Sequence, residues 1–160
     1  MKSVIFVCTA NMCRSPMAEA LFRSLVHDRG ESDEWRIESA GVRASAGQPA
    51  TENTQVVAAE RGMDLRGHRS QLASGAALEP FALVLVMEES QRRRLKEAAP
   101  ELAGRVHLLS EMAGQHEDIW DPVGGELENY RAMADEIEGI LRTGFDRIRE
   151  LADPSTSPGS

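Results

Sequence analysis

The chain has 160 residues, 41% of them hydrophobic, and 18 Lys plus Arg against 26 Asp plus Glu give a formal charge of -8. That length supports one domain with its own core, unaided by disulfides or metals, and the negative balance supplies no global field for nucleic acid or an anionic lipid surface, so any bound anion must be met by a local site. No apolar run approaches membrane-spanning length and the opening MKSVIFVCTA lacks a signal-peptide cleavage pattern, so a soluble, cytoplasmic protein with no membrane or nucleic-acid partner is expected.

Ser3 to Val7 is a short continuous apolar run, the pattern of a strand buried on both faces of a parallel sheet. Ser15 followed by Pro16 reads as an N-cap with proline at the first helical position, after which Met17, Leu21 and Leu25 share one helical face and Gly30 stops the helix. Residues 35 to 40 (WRIESA) read as a second strand and GVRASAGQPA as a loop of small residues. Thr51 to Arg61 reads as a helix with Glu52 near its start and Gly62 at its end. Ala82 to Met87 is the third strand, a charged helix with ESQRRRLKEAA ends near Pro100, and RVHLLS is the fourth strand. After the loop EMAGQHEDIWDPVGG, one long helix from Glu126 to Leu151 places Tyr130, Met133, Ile137, Leu141, Ile148 and Leu151 on an apolar stripe. Residues 152 to 160 read as a disordered tail, leaving 1 to 151 as the domain.

Strands alternating with helices imply an α/β three-layer sandwich, a four-stranded parallel sheet with helices on both faces and right-handed crossovers. Ligands of such folds sit at the carboxyl ends of the strands, where Cys8 falls, directly before a helix. The stretch CTANMCRS holds both cysteines of the chain. Two are too few for a disulfide framework or a Cys₄ zinc site, which leaves buried filler or a reactive thiol.

The turn Thr9, Ala10, Asn11, Met12, Cys13, Arg14 can aim successive amides into one concavity at the positive end of the following helix, a phosphate-binding loop. Arg14 adds a planar fork that grips two phosphate oxygens at once. The same field favours the thiolate of Cys8 and arms it for in-line displacement through a phosphocysteine intermediate. Expelling an alkoxide or phenolate also needs a proton donor. Asp121, in DIWDPVGG, is the candidate: general acid first, then the base that activates water. No cluster of His and carboxylates suggests a metal, and no cofactor is expected.

These residues resemble the low-molecular-weight protein tyrosine phosphatase family, whose loop reads Cys-x₅-Arg-Ser-Pro after the first strand and whose acid lies in a late Asp-Pro; the similarity covers roughly residues 3 to 150, including SAG at 39 to 41, GHRS at 67 to 70 and LVLVM at 83 to 87. The resemblance implies a protein phosphatase acting on phosphotyrosine, with Cys8 as nucleophile, Arg14 as clamp and Asp121 as acid and base. It implies that Ser15 steadies the leaving thiolate, that Asn11 holds the strained turn through Ser39 and His68, and that Cys13 shelters an oxidised Cys8 as a disulfide. Tyrosine-specific members usually carry an aromatic after Asp-Pro and another in the loop matching residues 42 to 48; here stand Val123 and small residues such as Ser45. VCTAN, SAGV, PAT and DPVGG are similar to the bacterial protein-arginine phosphatase branch, which usually has threonine where this chain has Met12, whereas tyrosine phosphatases put a bulky apolar residue there. Phosphoarginine is therefore the alternative substrate. Trp120 either supplies a ring wall or packs at a loop edge. Arsenate reductases share the fold and loop; the thioredoxin-coupled type needs cysteines beyond the loop, whereas a type that uses a small external thiol stays open as a lesser alternative. A sugar-phosphotransfer domain would not be expected to carry Arg14 and Asp121, and a phosphate-binding regulatory module would not need Cys8, Arg14 and Asp121 together. The basic run Arg92 to Arg94 reads as a solvated helix face.

Overall fold

A computed structural model describes residues 1–156. The chain runs β1 (Lys2–Cys8), α1 (Arg14–Asp28), β2 (Trp35–Gly41), α2 (Glu52–Glu60), a single turn α3 (Gly75–Leu78), β3 (Leu83–Val86), α4 (Glu89–Ala98), β4 (Val106–Leu108), α5 (Leu127–Thr143) and α6 (Phe145–Ala152). The four strands form one parallel sheet in the order β2-β1-β3-β4. The expected α/β sandwich is thus observed, and β1 lies inside the sheet with both faces covered.

Alternation along β1 divides the core. Val4, Phe6 and Cys8 face the layer of α1, α2, α5 and α6, whereas Ile5 and Val7 face Leu78, Phe81, Leu95 and Leu102 on the other side. In the first layer Phe22 is fully buried, with its ring centroid 5.7 Å from Phe6, 4.9 Å from Trp35 and 5.5 Å from Phe145. Each such ring contributes about 1.5–3 kcal/mol by burial, and this cluster clamps α1 onto the sheet. Because α1 starts immediately after the loop that follows β1, that packing also fixes the site.

Four expectations need correction. Helix α1 begins at Arg14 with Cys13 at its N-cap, so Ser15 and Pro16 lie inside the first turn, where a proline costs no hydrogen bond. The Ser15 hydroxyl is thereby free of capping duty. The long helix from Glu126 divides at Gly144, where an added Cβ would stand 2.6 Å from the Met112 carbonyl oxygen, and the apolar stripe continues through both halves. The fourth strand closes at Leu108, and Leu109–Ala113 is a 3₁₀ turn ended by left-handed Gly114. The disordered tail expected over 152 to 160 does not hold for its first residues: Ala152 is buried at the end of α6 and Pro154–Thr156 make a 3₁₀ turn, while 157–160 lie outside the described residues. Among the described residues no helix is long and apolar enough to cross a membrane.

Candidate active site

The loop between β1 and α1 turns its carbonyls outward. Cys8 and Thr9 oxygens accept from Val42 N (3.0 Å) and Arg43 N (2.8 Å), Met12 O from Thr51 N (2.9 Å) and Cys13 O from Met17 N (3.1 Å). Asn11 O accepts from His68 Nε2 at 2.7 Å, a bond that requires the proton on Nε2. Among the described residues, the backbone N–H groups of Thr9 to Arg14 and Ser15 donate to no protein acceptor. With the carbonyls spent on one side, the loop keeps a run of donors at a helix N-terminus for an anion.

Asn11 is the one non-glycine residue with positive φ (59°) among the described residues. That conformation costs roughly 1–2 kcal/mol for an L-residue, less for asparagine, and its fully buried amide offsets it. Nδ2 donates to Ser15 Oγ (2.8 Å) and Ser39 Oγ (2.9 Å), and Oδ1 accepts from Gln71 N (3.0 Å). Ser39 in turn donates to Glu19 Oε1 at 2.6 Å. Ser15 Oγ, already accepting from Asn11, lies 3.0 Å from Cys8 Sγ, so its own proton is available to the sulfur; the competing acceptor, Ala40 O, is 3.4 Å away.

Arg14 is 2% exposed. Its Nη1 donates to Ile119 O at 2.7 Å and pairs with Glu88 Oε2 at 2.7 Å. Nη2 stands 3.6 Å from Asp121 Oδ2, beyond hydrogen-bond range. The Nε–Nη2 edge therefore has no hydrogen-bond acceptor among the described residues, and that edge is the one that matches two oxygens of a tetrahedral anion. Asp121 is held in turn: Ile119 N donates to Met87 O (2.8 Å), and the Asp121 carboxylate accepts from Val123 N (3.0 Å) through Oδ1, which leaves Oδ2 toward Arg14. The Cys8 sulfur, the loop amides, the Arg14 guanidinium and the Asp121 carboxyl thus meet at the carboxyl ends of β1 and β3.

The model described as low molecular weight phosphotyrosine protein phosphatase matches residues 3–152. The chain is 36% identical over 140 residues to a protein-arginine-phosphatase of Bacillus subtilis (strain 168), covering 87% of this chain and 91% of that one. It is 34% identical over 150 residues to the probable low molecular weight protein-tyrosine-phosphatase EpsP of Ralstonia nicotianae, covering 94% and 98%. Among solved structures, a cysteine-to-serine mutant of the YwlE arginine phosphatase, with its active-site serine phosphorylated, superposes with a TM-score of 0.88 at 33% identity, covering 96% of this chain and 99% of that one. The chain belongs to the low molecular weight phosphotyrosine protein phosphatase family.

Within that family frame, the structure brings together Cys8, the loop through Arg14, Ser15, Ser39, His68 and Asp121. Met12 is partly exposed beside them. Cys13 is buried, and burial pushes its thiol up to about 12, against a hydrogen bond with Thr54 that acts the other way. Trp120, for which loop-edge packing was one reading, is 62% exposed. Sequence reasoning missed Glu88, the Ile119 carbonyl, Gln71 and Gln91, whose Nε2 donates to Thr9 Oγ1 at 3.1 Å while its Oε1 caps Met87 N and Glu88 N. The only available signal was the position of Glu88 just past a strand end. Gly41 has a physical reason in this frame: a Cβ there would stand 2.6 Å from Thr9 O and 2.8 Å from Asn11 N. Gly41→Ala is expected to destabilise by about 1–3 kcal/mol and to weaken vanadate binding as the loop is displaced. Chemical denaturation alongside vanadate titration checks this, and unchanged values for both would show that the close approach is not required.

Proposed function

We propose that the protein is a phosphatase of protein phosphotyrosine that works through a phosphocysteine intermediate, with Cys8, Arg14 and Asp121 as its catalytic residues. The observation that carries the assignment is the loop itself: outward carbonyls, unspent amides, and the open Nε–Nη2 edge of Arg14 around one cysteine sulfur. The loop amides and Arg14 hold the three non-bridging oxygens, and Cys8 Sγ attacks phosphorus in line. As the S–P bond forms, the ester bond breaks and Asp121, in its carboxylic-acid form, gives its proton to the leaving oxygen. Water then attacks phosphorus while the Asp121 carboxylate takes its proton, the S–P bond breaks, and the Ser15 hydroxyl donates to the departing sulfur. Glu88 acts through Arg14 as a positioning residue. Cys13 is assigned the redox role: its thiol condenses with a Cys8 sulfenic acid to give a disulfide and water. Two unpaired buried cysteines suit a compartment that keeps thiols reduced, and we place the protein in the cytoplasm.

The choice of phosphotyrosine rests on Met12, whose apolar side chain is partly exposed from the loop, its backbone held by Thr51. Phosphoarginine is the second reading, favoured by exposed Val123 in place of an aromatic after Asp-Pro. Turnover of phosphotyrosine and phosphoarginine peptides by wild type and Met12→Thr tests both. Wild type is expected to favour phosphotyrosine, and the variant to shift the ratio of kcat/KM toward phosphoarginine by about 10-fold or more. A wild type already favouring phosphoarginine, or an unchanged ratio in the variant, overturns the assignment of this position.

A further inference from the structure

We propose that Trp120 is the wall on which the flat leaving group of the substrate packs, on the reading above the phenyl ring of phosphotyrosine. This makes Trp120 a specificity-determining residue and rests on the assignment of Asp121 as the proton donor.

Trp120 is bracketed by two residues that both reach the phosphate clamp: Ile119, whose carbonyl accepts from Arg14 Nη1 at 2.7 Å, and Asp121, whose Oδ2 lies 3.6 Å from Nη2. Ile119 is buried and hydrogen-bonded to the end of β3, and Pro122 is buried on the other side. The backbone of Trp120 is thus pinned at the rim of the site. The indole is nevertheless 62% exposed and, among the described residues, takes part in no aromatic pair or cation–π contact. Tryptophan is on average one of the more buried residues, so a large flat face anchored on both sides and left to solvent is a contact surface in search of a partner.

The chemistry says which partner. The oxygen that leaves phosphorus must stand beside the Asp121 carboxyl to receive its proton, and in an aryl phosphate the ring is bonded directly to that oxygen. A ring so placed lies next to the residue that precedes Asp121. On the following side, past Pro122, Val123 is 59% exposed and aliphatic. Offset stacking or edge contact with the indole favours planar leaving groups over alkyl ones, whereas inorganic phosphate has nothing to offer the indole.

The test is calorimetric binding of benzylphosphonate and of inorganic phosphate to wild type, Trp120→Ala and Trp120→Phe, together with KM for an aryl phosphate. Trp120→Ala should lose about 10-fold in benzylphosphonate affinity, with a matching rise in KM, while phosphate binds as in wild type. Trp120→Phe should restore most of the loss. Because the side chain is exposed, thermal unfolding of both variants should match wild type. Unchanged benzylphosphonate affinity in Trp120→Ala overturns the proposal. So does an equal loss for phosphate, which would mean that Trp120 only places the loop, and so does a wild type that binds benzylphosphonate no better than phosphate. Failure of wild type to release phosphate from any aryl phosphate, by contrast, overturns the phosphatase reading itself.

Discussion

Cys8→Ser is expected to lower phosphate release from an aryl phosphate by at least about 10⁴-fold, while inorganic phosphate or vanadate still binds within a few-fold of wild type. The two outcomes separate because different atoms carry them. Binding draws on the amides of Thr9 to Arg14 and on the Nε–Nη2 edge of Arg14, and none of these involves the Cys8 side chain. Bond formation to phosphorus needs the sulfur, and a serine hydroxyl at the same position is a far weaker nucleophile that would have to lose its proton with no base placed to take it. The substituted hydroxyl lies where the sulfur meets Ser15 Oγ at 3.0 Å, so it enters the site with a hydrogen-bond partner at hand. Steady-state assay and calorimetry check both arms. Substantial turnover by Cys8→Ser would remove the phosphocysteine route, and lost anion affinity would mean that the sulfur holds the loop in shape.

The parts of this molecule that were legible in the sequence are those set by local chemistry. The apolar runs of β1 and β3 mark strands buried on both faces, and Cys8 to Ser15 follow one another so closely that strand end, loop amides, guanidinium and helix start are written together. Asp121 was legible because Asp-Pro and the paired glycines isolate a turn. What sequence order concealed comes from long-range contacts. Glu88 and Ile119 matter only because the ends of β3 and of the 114–121 loop converge on Arg14, and Gln71 matters only because Gly41 N donates to its carbonyl at 2.9 Å, which carries it beneath Asn11. The division of α5 from α6 was hidden for the same reason, since the apolar stripe continues across Gly144 and only the approach of Met112 reveals the break. Ser15 looked like a cap because Ser-Pro usually begins a helix; here the turn of Cys13 begins it, which sends the Ser15 hydroxyl to the Cys8 sulfur instead.

Asp121→Asn is the substitution that most directly tests the proton-transfer half of the mechanism, and its effect should depend on the leaving group. For a phosphotyrosine peptide, whose phenolate leaves poorly without a proton, kcat/KM should fall by about 10²–10⁴-fold. For a nitrophenyl phosphate, whose ring already stabilises the departing oxygen, the fall in kcat/KM should be several-fold at most. Its kcat should still drop, because the same side chain is assigned to activate water against the phosphocysteine, so hydrolysis of that intermediate becomes limiting and a burst of nitrophenolate precedes slow turnover. Folding should be untouched. The Asp121 side chain is 45% exposed, and an asparagine oxygen can still accept from Val123 N as Oδ1 does at 3.0 Å. The neutral amide also removes the negative charge 3.6 Å from Arg14 Nη2, so anion affinity should hold or rise. Equal losses of kcat/KM on both esters would show that Asp121 supports the geometry of the site and donates no proton, and the acid would then have to be sought elsewhere on the rim of the loop.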